Sequence, residues 1–290
     1  MDKKHDKLMT DIQRLLETQN FKSEKEMKSF LDGITGKPIP SFPKAVLNNQ
    51  EKAQDLVYEA SELSPAKAKA KIKKALQLDP DCIEAYEYLA STDRSLKSAM
   101  MNYEKGIAIG KRIFGGKYLE EHKGMFWGFH ETRPFMRCLQ HYADCLYTSG
   151  KVKECIEIFE EMIELNPNDN QGARDLLLLY LIQIDAREKF VKYAKEFKDD
   201  YSAFILFNRA LFAFKTEGET KNANKILKAA IERNKFVAKL ILSDKPIKVL
   251  PEYYGWGDEN EAIYYSHFAY HIWKDTKEAM EWLRKYAFIQ

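Results

Sequence analysis

The strongest constraint on the fold is a register of small and large residues that occurs twice. It runs Leu139, Tyr142, Ala143, Leu146, Gly150, Cys155, Phe159, Met162, Pro167. It returns as Phe207, Ala210, Leu211, Phe214, Gly218, Ala223, Leu227, Ala230, with Lys235 in the proline slot. Leu139 and Phe207 are 68 positions apart, twice a period of ~34 residues, the length of a helix–turn–helix repeat. The steps of three and four put the marked residues on one face of each helix. Small members of the set let a neighbouring helix approach closely. A single pair cannot bury such a face alone, so the chain is expected to stack helix pairs.

Weaker copies extend the array. Residues 49–80 carry Ala68, Ile72 and Ala75 ahead of Leu78-Asp79-Pro80, and the next pair carries Tyr86, Leu89, Ala90, then Ala99, Tyr103, Gly106. A degenerate copy spans 170–199, and its run Leu176 to Ile182 is apolar on all sides, which predicts a helix buried on several sides. The register fails between Ile109 and Pro134, a glycine- and aromatic-rich insertion. At the N-terminus, Leu8, Ile12, Leu15 and Leu16 share one helical face; Ser23 and Glu26 form a capping-box pattern ahead of Met27, Phe30 and Leu31. Pro38, Pro40 and Pro43 then exclude helix and predict a semi-rigid connector. Beyond Pro246 an aromatic loop leads to two helices with Asp258/Glu261 and Asp275/Glu278 as caps. The expected division is 1–44, an N-terminal helical hairpin with its connector; 45–245, the array, with an insertion at 109–134; and 246–290, a C-terminal helical cap.

The doubled register resembles the tetratricopeptide repeat (TPR). In detail the segments Gly124-Met125-Phe126-Trp127-Gly128-Phe129-His130-Glu131-Thr132-Arg133-Pro134, Asn166 to Gly172, Ala210 to Phe214 and Leu250-Pro251-Glu252-Tyr253-Tyr254 look like a signature of uncharacterised bacterial TPR proteins similar to the suppressor-of-tumorigenicity-seven family. The resemblance implies an all-α, right-handed α-solenoid of TPR-like helix pairs and a cytoplasmic protein. It carries over no reaction, ligand or catalytic residue.

Lysine and arginine total 46 against 44 aspartates and glutamates, a balance that argues against a nucleic-acid partner. The absence of any ~20-residue apolar run argues against a membrane span, and the charged first twenty residues argue against secretion. The four cysteines, Cys82, Cys138, Cys145 and Cys155, fall in helical segments and fit a reducing compartment.

In stacked helix pairs of this type, the first helix of each pair lines the concave surface. In the opening repeat the outward positions are Arg137, Gln140, Asp144 and Tyr147, with Arg133 one turn earlier. Later repeats add Gln171 and Arg174, then Asn208, Phe212 and Lys215. The face of the opening repeat thus carries two guanidiniums, an amide, a carboxylate and a phenol, and the arginine forks along the stripe suit an extended peptide or an acidic chain terminus. The plainer reading is a solvated face with Arg133–Glu131 and Arg137–Asp144 ion pairs. The insertion offers a second candidate. Trp127, His130 and Glu131 could close a small-molecule or catalytic pocket, or Trp127 could plug the stack with Glu131 and Arg133 as buttress. His267 and His271 have chelating spacing, but Phe268 stands where a zincin glutamate would be. Cys138, Cys145 and Cys155 read as core packing. The expected function is therefore non-catalytic protein or peptide binding through the concave groove, with no cofactor and no metal. The alternatives are a small-molecule or peptide sensor and, third, an enzyme.

Overall fold

A computed structural model describes residues 3–37, 47–243, 247 and 249–287, with the backbone alone for residues 3–6. The prolines of the expected connector, Pro38, Pro40 and Pro43, and the boundary residue Pro246 lie outside the described residues. Among the described residues every regular element is an α-helix, as the register requires. None is long and apolar enough to cross a membrane. The chain forms two compact units. One holds residues 1–150 with 161–170, and the other holds 151–160 with 171–290.

The first unit begins with α1 (Lys3–Glu17) and α2 (Glu24–Ile34), followed by the pairs α3 (Asn49–Ala60) with α4 (Pro65–Leu78) and α5 (Ile83–Ser91) with α6 (Leu96–Ile113). Asn48 starts α3 through a complete capping box with Glu51. Pro65 opens α4 at a position where its missing N–H costs nothing. Ala53, Val57 and Ala60 of α3 bury against Ala68, Ile72 and Ala75 of α4, so the small–large–small face read from the sequence is the seam of this pair. The insertion is partly helical. It finishes α6, adds α7 (Gly116–His122) and leads into α8 (Arg133–Thr148). Gly106 and Gly110 let α6 lie close to α8. A Cβ on Gly110 would fall 2.2 Å from the Phe135 ring, and one on Gly106 would fall 2.8 Å from Cys138 Sγ.

The opening repeat is shared between the units. Helix α8 belongs to the first, while α9 (Val152–Leu165) gives its residues up to Glu160 to the second and the rest to the first. The second unit continues with α10 (Ala173–Gln183), α11 (Arg187–Glu196), α12 (Ala203–Glu217), α13 (Lys221–Arg233), α14 (Lys235–Ile241), α15 (Glu259–Asp275) and α16 (Lys277–Ala287). Leu177 to Ile182 of α10 are buried throughout, as their all-round apolarity predicts. Helix α14 was not legible. Lys235 sits where a proline would stop the previous helix, and Asn234 caps a new helix there by accepting from the Phe236 N–H. Asp258 caps α15 as expected, accepting from the Glu261 N–H at 2.7 Å, while the Glu261 side chain is fully buried. It accepts from the Ala203 N–H (2.9 Å), the Gly257 N–H (2.7 Å) and Asn234 Nδ2 (2.9 Å), which ties α12, α13 and α15 together. Asp275 is the last residue of α15 and not the cap of α16.

Candidate functional site

Within the first unit, α1, α3, α5 and α8 bound a cleft of ≈ 330 Å³. Its floor is a polar row that runs across the first helices of successive pairs. Gln54 of α3 donates from Nε2 to Glu84 Oε2 of α5. Arg137 of α8 donates to the other oxygen of Glu84 (3.1 Å) and forks onto both oxygens of Glu87 (3.0 and 2.9 Å). Arg137, Glu84 and Glu87 are only 7%, 2% and 6% exposed. A planar guanidinium with five donors can satisfy two carboxylates in this way, and burial strengthens the bonds while making each partner dependent on the others. The stripe therefore departs from the expected solvated face. Arg137 is anchored across the stack to α5, and Asp144, its expected partner, lies 3.5 Å from His141 Nδ1. Gln140 and Tyr147 are half-buried further along α8, and Asp144 is exposed.

The insertion supplies one wall of the cleft through His130 and Glu131. His130 Nε2 meets Thr10 Oγ1 of α1 at 2.7 Å and the Tyr58 hydroxyl of α3 at 3.3 Å, and these two hydroxyls are themselves 3.0 Å apart. Glu131 is exposed and accepts from the Tyr118 hydroxyl at 3.3 Å. Trp127 stands outside this lining. Arg133 donates from Nε to the Trp127 carbonyl (3.1 Å) and lies over its ring at 5.8 Å, a cation–π contact. The plug expected of Trp127 is in fact Phe126, 1% exposed. Its ring meets Phe114, Tyr118 and Phe135 edge-on at 6.3, 5.9 and 6.3 Å. Its N–H donates to the Leu165 carbonyl at 3.1 Å, and its own carbonyl accepts from the Thr132 hydroxyl. The alternating Phe126-Trp127 pair gave no sign of which ring turns inward, because the loop has no helical or strand period to set it.

In the second unit, Gln171 and Arg174 line up at the start of α10, and Arg174 is held by Asp200. Nε and Nη2 both reach Asp200 Oδ2 at 2.7 Å, with the guanidinium over the Phe197 ring. Burial alone would raise the Asp200 carboxyl, but hydrogen bonds from Ser202 and Arg174 outweigh it and hold that carboxyl below the usual range. Asn208 and Lys215 are internal staples and not groove residues. Asn208 is 0% exposed and donates to the Asp175 carbonyl at 3.2 Å. Lys215 Nζ donates to the Ile182 carbonyl in the last turn of α10 at 3.0 Å, a favourable place for a cation. Phe212 stacks on Phe190 at 3.9 Å.

The remaining candidates have structural surroundings. Among the described residues no group of three or more His, Cys, Asp or Glu side chains is arranged to hold a metal ion. His267 is exposed and His271 is half-buried. Cys82, Cys138 and Cys155 are buried, and burial pushes the Cys82 thiol up to about 12. The residues that sequence reasoning missed are Arg14, Gln54, Glu84 and Glu87. A signal existed for the last two: a pair of acids three apart, on the predicted first helix of a repeat and facing the next first helix.

No family model matches the chain, and no solved structure does. Among curated proteins, the human suppressor of tumorigenicity 7 protein-like is 24% identical over 246 residues, 76% of this chain and 42% of the relative. The mouse protein of the same name is also 24% identical over 246 residues. The ST7 homolog of Drosophila pseudoobscura pseudoobscura is 25% identical over 244 residues, 72% of this chain and 43% of its own length. The chain spans about two fifths of the length of the curated relatives it matches. It is thus similar, at low identity across most of its own length, to proteins of the suppressor of tumorigenicity 7 kind.

Proposed function

We propose that the chain is a non-catalytic protein- or peptide-binding scaffold of TPR type, acting in the cytoplasm through the polar face of its first helices. One observation carries this reading: the polar row Gln54–Glu84–Arg137–Glu87, buried from Glu84 onward, which fixes α3, α5 and α8 side by side beneath a cleft with exposed Gln50 and Glu131 at its edge. A face held rigid before binding loses little conformational entropy when a partner docks. The imidazole of His130 supports the same reading. Thr10 and Tyr58 share its Nε2, so the group holds α1 against α3, whereas a general base would have to reach a substrate. In the second unit, Gln171 and Arg174 offer a further polar edge.

Affinity purification with the wild type and a Gln50→Lys/Glu131→Lys variant tests the proposal. Both side chains are exposed, so the melting temperature should stay within a degree or two of wild type, since surface changes of this kind cost within ~0.5 kcal/mol. Partners retained by the wild type and lost by the variant support the scaffold. An identical partner set with both proteins contradicts it. A second reading, a small-molecule or peptide sensor, draws support from the cleft's size, at the lower end of the ~300–1,000 Å³ of ligand pockets. It requires a small molecule to co-purify and appear in the native mass spectrum.

A further inference from the structure

Helix α1 is attached in an unusual way. It is amphipathic, yet no described apolar side chain on it is buried, and Leu8 and Met9 remain 45% and 36% exposed. Its one buried side chain among those described is Arg14, 7% exposed. The Arg14 guanidinium donates from Nη1 to Asp55 Oδ1 at 2.8 Å and from Nη2 to the Glu51 carbonyl at 3.2 Å, with Nε 3.4 Å from Glu51 Oε1. Asp11 of α1 lies 3.6 Å from Nη1. Glu51 and Asp55 are one turn apart on α3, so the helix presents two carboxylates and a backbone acceptor to a single planar fork. Beside this seat the cleft carries Glu17, Glu84 and Glu131, and Arg137 is already engaged by Glu84 and Glu87. Withdrawing Arg14 would leave the α3 carboxylates without their arginine partner.

We infer that the α3 edge of the cleft is a receptor for an arginine-bearing amphipathic helical segment of a partner protein, and that α1 is its intramolecular occupant. The inference rests on the scaffold reading and names the chemistry of the partner. The chain's own helix shows the binding mode: a guanidinium enters the Glu51–Asp55 seat, a hydroxyl one turn earlier (Thr10) meets Tyr58 and His130, and Leu8 and Met9 stay exposed. Such a helix, held by polar contacts while Ile12, Leu15 and Leu16 are only half-buried, is open to exchange with a competing segment. Lysine would fill the seat poorly, because its single nitrogen lacks the planar fork by which Nη1 and Nη2 of Arg14 reach Asp55 and the Glu51 carbonyl separately.

The test uses a labelled synthetic peptide of residues 3–19 and the full-length chain. A chain with Arg14→Ala should bind this peptide roughly ten-fold tighter than the wild-type chain, whose own α1 competes, since bonds to a charged group are worth about 1.5–3 kcal/mol. A peptide with Arg14→Ala or Arg14→Lys should bind that chain roughly ten-fold more weakly, and adding Asp55→Asn to the chain should abolish the preference for arginine. Equal binding by both chains, or by the arginine-free peptide, overturns the inference. If the Arg14→Ala chain does not fold, the same question is put to the wild type by hydrogen exchange. Excess peptide should speed exchange of the α1 amides, and unchanged exchange overturns the inference. Failure here leaves the result of the Gln50→Lys/Glu131→Lys purification intact, so the two readings fail separately.

Discussion

Arg137→Ala is expected to destabilise the first unit by about 3–5 kcal/mol, because it strands two buried carboxylates. Glu84 and Glu87 are almost fully covered, and three of their hydrogen bonds come from this one guanidinium. An exposed ion pair would cost about 0–1 kcal/mol in the same experiment. Urea denaturation of wild type and variant measures the difference. The same burial defines a rescue. Arg137→Met combined with Glu84→Leu and Glu87→Leu removes every charge together, and it should recover most of the loss, since a buried ionic group replaced as a whole by apolar residues is often neutral or better. A single Arg137→Ala change that costs under 1 kcal/mol would return Arg137 to the solvated stripe read from the sequence. Arg137 is therefore a poor probe of binding, because its loss damages the packing of α5 and α8 first.

Phe126→Ala should cost about 3–5 kcal/mol, the range for deleting a fully buried aromatic ring, whereas Trp127→Ala should cost about 1 kcal/mol or less. The two residues are adjacent, and both are large. They differ in surroundings: Phe126 is enclosed by Phe114, Tyr118 and Phe135, while Trp127 stacks on one side against Arg133. Thermal melts of the two variants decide between them, and the opposite order would restore Trp127 as the plug.

The helix pairs were legible because their signal is local and periodic. Ala68, Ile72 and Ala75 repeat with the helical period, and one buried seam explains them. The aliphatic run of α10 was legible for the same reason. What the sequence concealed depends on partners far along the chain. Arg137 meets glutamates 50 and 53 positions away, and nothing in the spacing of α8 distinguishes that from a pair with Asp144 on its own helix. Asn208 and Lys215 fell on the expected stripe, yet they reach the backbone of α10, because a polar side chain facing the neighbouring helix can serve its backbone as easily as a ligand. Arg14 was hidden differently. A lone arginine in an exposed amphipathic helix reads as solvated until the acidic seat on α3 is brought to it.

Partner binding by the first unit along α3, α5 and α8 is tested by amide hydrogen exchange of the protein alone and with the partner that the Gln50→Lys/Glu131→Lys variant fails to retain. Slower exchange is expected in the segments around Gln50–Tyr58 and Glu84–Glu87 and in the first turns of α8, all of which line or support the cleft. Protection confined to other helices, with these segments unchanged, would contradict it.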